Sequence, residues 1–105
     1  MQLNFAIGKN NTQIIRFKDD TSGQMAVTDL SSVSRFVWEI GENTVIDSDT
    51  YPTCFDATLG DGKLELNITG VPDLLVGSFR SYITLYDPSN PNGVTWLPSF
   101  KVKLI

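Results

Sequence analysis

The chain has 105 residues, 41% of them apolar and 19% charged, with a net charge of −4 and one cysteine. That length fits a single domain, residues 1–105, with enough apolar chain to build a core without cross-links. One thiol excludes an internal disulfide, and eight scattered Lys and Arg residues without a basic stripe argue against nucleic-acid binding through phosphates.

The opening "MQLNFAIGKNN" lacks the basic region and apolar run of a secretory signal. No stretch reaches the roughly twenty apolar residues of a membrane span. The expectation is a chain made in the cytoplasm, with no membrane partner. In "LNFAI", Leu3, Phe5 and Ile7 share one face of a strand. "TQIIRFK" repeats the alternation, with Ile15 and Phe17 together. "DDTSG" reads as a turn and "QMAV" as a strand bearing Met25 and Val27. In "TDLSSV", Thr28 or Asp29 is placed to cap a short helical turn.

"SRFVWEI" is the clearest strand, with Phe36, Trp38 and Ile40 on one face. "GEN" turns it into "TVI". "CFDATL" reads as a strand, with Cys54 as a small buried hydrophobe. "GDG" turns it back into "KLELNI", where Leu64, Leu66 and Ile68 alternate with Lys63, Glu65 and Asn67. "TGVPDLLVG" crosses over, with room for one helical turn. In "SFRSYITLY", Phe79, Ser81, Ile83 and Leu85 oppose Arg80, Tyr82, Thr84 and Tyr86. "DPSNPNG" turns, and "VTWLPSFKVKLI" closes the chain. Pro98 cannot donate to a ladder, so it marks a bulge, a strand switch or an edge.

Seven to eight short strands with turn signals every eight to twelve residues predict an all-β fold, an antiparallel β-sandwich. Half-polar strands fit sheets with one wet face.

Catalytic chemistry has few residues to draw on. The chain has no histidine, so neither imidazole base catalysis nor a His-activated Cys54 thiol is available. Asp19, Asp20, Asp47, Asp49 and Asp61 lie on turns, whereas glycoside hydrolysis needs two carboxylates flanking one bond in a cleft. "DSDT" and "DPSN" offer oxygens without the spacing of a helix-loop-helix calcium site. They read as aspartates that bond their own turns. No enzyme activity, metal or cofactor is expected.

Contact chemistry is better supplied. Tyr82 and Tyr86 share an outward face, with Thr84 between them. Tyrosine suits interfaces because its ring is apolar and its hydroxyl is wet. Trp96 and Tyr51 are candidates for an exposed platform, and Asp87, Asn90 and Asn92 of "DPSNPNG" would form a contact loop beside it. In the tail "FKVKLI", Lys101 and Lys103 face away from Phe100 and Val102. They read either as charges guarding an edge strand or as an edge that pairs with a neighbour. Leu104 and Ile105 are expected to be buried, in the domain or against a partner.

The run "DLLVGSFRSYITLYD" resembles the late corner of immunoglobulin-like sandwiches, with Phe79 where the family often has a tyrosine. Trp38 matches the usual core tryptophan. The paired cysteines of antibody domains are missing. "GDGKLELNI", "LLVGSF" and "LYDPSNPNGVTW" also resemble small immunoglobulin-like proteins and domains of tailed-phage virions, over most of the chain after residue 33. The resemblance implies an immunoglobulin-like fold and a non-enzymatic structural role, as a capsid decoration or a tail or baseplate accessory. Its partners would be other virion or assembly proteins, or further copies of itself, and it would reside in the virion. The competing reading is a small module for a carbohydrate or surface ligand, which requires Trp96 or Tyr51 exposed in a groove.

Overall fold

The computed structural model describes residues 1–17 and 30–105. Eight strands run through them: β1 (Gln2–Phe5), β2 (Gln13–Arg16), β3 (Arg35–Ile40), β4 (Thr44–Asp47), β5 (Phe55–Asp56), β6 (Lys63–Leu66), β7 (Gly77–Asp87) and β8 (Asn90–Leu104). They form a five-stranded sheet, in the order β1-β8-β7-β3-β4, and a three-stranded sheet, in the order β2-β6-β5. No α-helix occurs among the described residues. The turn expected at "DDTSG", the strand at "QMAV" and the cap at Thr28 or Asp29 lie outside them.

Alternation decides which side of each strand is buried. Phe36, Trp38 and Ile40 of β3 point inward with Ile83 and Leu85 of β7 and Phe100, Val102 and Leu104 of β8. From the smaller sheet, Ile15, Leu64 and Leu66 join the same core, with Phe17 and Ile68 just beyond their strands. Each such side chain contributes about 1.5–3 kcal/mol when it leaves water. Aromatic rings tie the two sheets together. Phe55 of β5 stacks on Phe36 at 5.7 Å between centroids, and Phe17 meets Trp96 edge-on at 5.1 Å. Cys54 is buried, as expected, but in a 3₁₀ turn (Pro52–Cys54) rather than in a strand.

Several expectations need correction. The larger sheet is mixed, not antiparallel: β1 pairs with β8 in parallel, Gln2 opposite Lys101 and Phe5 opposite Leu104. Period-two alternation reports which face is buried and is silent on partner and direction. "CFDATL" forms only the two-residue β5 before it leaves the sheet, and the "GDG" turn sits at the start of β6. There Lys63 N donates to Gly60 O (3.1 Å), and Asp61 and Gly62 both take positive φ, the sense an Asp-Gly hairpin turn requires. The crossover before β7 contains no helical turn. The tail strand is not an edge, because β1 covers it. Leu104 is buried, but Ile105 is 61% exposed, since β1 and β8 end just short of it.

Two bulges shape the β7–β8 ribbon. Ser81 pairs with Phe100 and Ile83 with Trp96, so residues 97–99 lie opposite Tyr82 alone. Leu85 pairs with Val94 and Asp87 with Asn90, so residues 91–93 lie opposite Tyr86 alone. Pro98 falls inside the first bulge, where its missing N–H costs no ladder bond. Each bulge adds two residues, so residues of even number on β8 keep facing the core on both sides of the first one.

Candidate functional site

The outward face of the larger sheet carries the tyrosines. Register puts Arg35 beside Tyr86, Val37 beside Thr84 and Glu39 beside Tyr82 on β3 and β7. Thr95 of β8 continues the Thr84 row, and the two hydroxyls share a hydrogen bond of 3.0 Å. Asp47 of β4 stands on the other side of Val37. Val37 is 8% exposed although it points away from the core, because this row of neighbours covers it. Tyr82, Thr84 and Tyr86 are half-buried. The tyrosines, four residues apart on one strand, stand about 13 Å from each other.

Tyr86 is held from two sides. The Arg35 guanidinium lies 5.0 Å from its ring centroid, a cation–π contact. Arg35 is itself fixed by Asp47: Nε donates to both carboxylate oxygens at 3.0 and 3.1 Å, and Nη2 donates to Oδ2. Asp49 adds a looser pair, 3.5 Å from Nε. The Arg35 hydrogen bond holds the Asp47 carboxyl below the usual carboxylate range, and Asp47 in turn raises the Arg35 value. On the β8 side, Gly93 lies close against the ring. A Cβ on Gly93 would come within 2.8 Å of Tyr86 Cε1 and 2.7 Å of Thr84 Cγ2.

The loop "DPSNPNG" is shorter than its sequence suggests. Pro88 and Ser89 alone make the turn, and Asn90 already belongs to β8. Asp87 Oδ1 accepts from Asn90 N (2.8 Å) and Asn90 Nδ2 (3.0 Å), so both side chains are engaged in closing the turn. Asn92 is exposed in the bulge opposite Tyr86. Asp47 and Asp56 behave likewise: Asp47 Oδ1 accepts from Asp49 N and Asp56 Oδ1 from Thr58 N. Among the described residues no three carboxylates or thiols gather to hold a metal.

Trp96 is the main correction to the predicted site. It is 5% exposed, packs between Phe17 and Phe100, and faces the core opposite Ile83. Its parity carried the signal: Trp96 shares even numbering with Phe100, Val102 and Leu104, and the bulge at Pro98 preserves that phase. Tyr51 is half-buried, packed against the core cluster. Tyr86, Asp87, Asn90 and Asn92 come together at one end of the β7–β8 ribbon, with Tyr82 farther along the same face. Sequence reading missed Arg35 and Gly93; the cue for Arg35 was its parity with Val37 and Glu39, opposite Trp38. Comparison with protein-family models, with curated proteins and with solved structures found no match for this chain.

Proposed function

We propose that this chain is a non-enzymatic interaction module with an immunoglobulin-like sandwich fold. It docks into a larger protein assembly, of the tailed-phage virion type, through the outward face of its larger sheet. The observation that carries this reading is Tyr86 flanked by Arg35 of β3 and Gly93 of β8, on the same face as Tyr82 and Val37. Tyr and Arg dominate the energetics of protein interfaces, and a ring already held in place loses little freedom on binding. The exposed Val45 on β4 extends this surface toward the sheet edge.

A ligand-binding module with a tryptophan platform has less support, because Trp96 lies in the core. The test is incorporation. Purified particles from a host expressing the tagged chain are probed for it by mass spectrometry. The Tyr82→Ser, Tyr86→Ser double variant should stay folded and drop about tenfold or more in particle content, as expected for loss of hot-spot rings. Equal incorporation of a folded double variant would refute docking through this face.

A further inference from the structure

The outward face has a second half with different chemistry. Beyond Tyr82 toward β1, Arg80 of β7 stands directly opposite Lys101 of β8, and Lys103 lies opposite Ser78 one step on. Gln2 and Asn4 of β1 complete the rows beside Lys101 and Lys103. All three cations are exposed, and among the described residues no ion pair joins them to a carboxylate. Glu39, opposite Tyr82, makes no ion pair with Arg80. Like charges directly opposite each other on a sheet oppose folding. Here they are concentrated on one patch of a chain whose net charge is −4. A surface concavity of about 680 Å³ lies over Arg80 and Lys101, lined also by Gln2, Ser78 and Ser99 among others.

Among the described residues, the patch adjoins an open strand edge. Lys101 N donates to Met1 O, Ile105 N to Phe5 O, and Ile7 N to Ile105 O. Residues of odd number on β1 therefore bond to β8. The backbone N–H and C=O of Gln2 and Asn4 point the other way, where no strand pairs with them among the described residues. An open edge is a template for an added strand.

We propose that this half of the face receives an extended, acidic polypeptide segment of a partner protein. The segment adds to the β1 edge through the backbone of Gln2 and Asn4, and its outward carboxylates reach across β1 toward Lys101 and Lys103, with Arg80 one strand farther on. Charge selects this occupant. A nucleic acid would meet three local cations on an anionic protein, too few for strong phosphate-driven binding. A second copy pairing at the same β1 edge by two-fold symmetry would bring Gln2, Asn4 and the same cations to this face, and no carboxylates to meet them. This surface is separate from the tyrosine half, so the two proposals fail or succeed independently.

The experiment titrates the isotope-labelled full chain with a decapeptide of alternating Glu and Thr, followed by NMR. The expected result is shift changes confined to residues around Gln2, Asn4, Ser78, Arg80, Lys101 and Lys103, with slowed amide exchange at Gln2 and Asn4. Affinity should fall about tenfold or more between low salt and about 0.5 M salt, because exposed charges are screened. An Arg80→Glu, Lys101→Glu variant with unchanged circular dichroism should lose binding at least about tenfold. The Tyr82→Ser, Tyr86→Ser variant should bind as the parent does. Absence of binding would overturn the proposal. So would equal binding of a ten-residue oligothymidylate, the same shifts on concentrating the protein alone, or binding that leaves Gln2 and Asn4 exchange unchanged.

Discussion

The Trp38 indole Nε1 donates to Ser81 Oγ at 2.7 Å, and that hydroxyl donates onward to Glu39 O at 2.6 Å. Ser81 is fully buried, so one hydroxyl satisfies the fully buried Trp38 indole and ties β3 to β7. Replacing Ser81 with Ala would leave the indole N–H without a partner in a dry interior. The expected cost is about 1–3 kcal/mol, read from urea unfolding. Ser81→Thr keeps the hydroxyl but crowds Phe79 and Ile83, and it should recover only part of that loss. A Ser81→Ala protein as stable as the parent would show that the relay contributes nothing.

Both tryptophans are buried, Trp38 at 0% and Trp96 at 5% exposure. Native emission should therefore be shielded from iodide and become quenchable only on unfolding. A native fraction quenched as freely as a tryptophan in the denatured chain would place Trp96 at the surface and restore the platform reading.

Gly93 has φ +81 and lies close against the Tyr86 ring. Gly93→Ala meets two penalties, a left-handed backbone that disfavours a Cβ and a collision with the ring. We expect roughly 2 kcal/mol of destabilisation and a displaced Tyr86, visible as changed ring shifts for Tyr86 and not for Tyr82. Unmoved Tyr86 resonances would mean that the ring does not rest on this position.

Arg35 depresses the Asp47 carboxyl below its ordinary value. The unfolded chain then binds the proton more readily than the folded one, so stability rises with pH through this window. The contribution is complete above the unfolded value of about 3.9 and is lost as pH falls through the lower folded value. Asp47→Asn should flatten this part of the acid limb, with little change in its slope at neutral pH. Asp56, held low by the Thr58 hydroxyl, should leave a residual slope in that variant. Thermal melts across the acid range read both.

The inward faces were legible wherever a strand was regular. Phe36, Trp38 and Ile40, or Leu64 and Leu66, announce themselves by spacing alone. The bulge expected at Pro98 is present, but Trp96 was assigned to an exposed platform although that bulge adds two residues and keeps Trp96 in phase with Phe100 and Val102. The β1–β8 pairing was illegible for a different reason, since it joins strands from opposite ends of the chain and leaves no local trace. The tyrosine face could be read from β7. The groups around Tyr86 could not, because Arg35, Asp47 and Gly93 come from three other strands.

The parallel contact of β1 with β8 also fixes an order of events. Residues 2–5 are synthesised well before the strand they pair with, which is completed only by residues 101–104. Until then this segment, with Leu3 and Phe5, waits as an unclaimed apolar ribbon. Sheet closure is thus a late, long-range step, of the kind that makes folding slow and leaves nascent chains open to capture. A stall or truncation before residue 101 would strand β1 and expose the flank of the core that it seals.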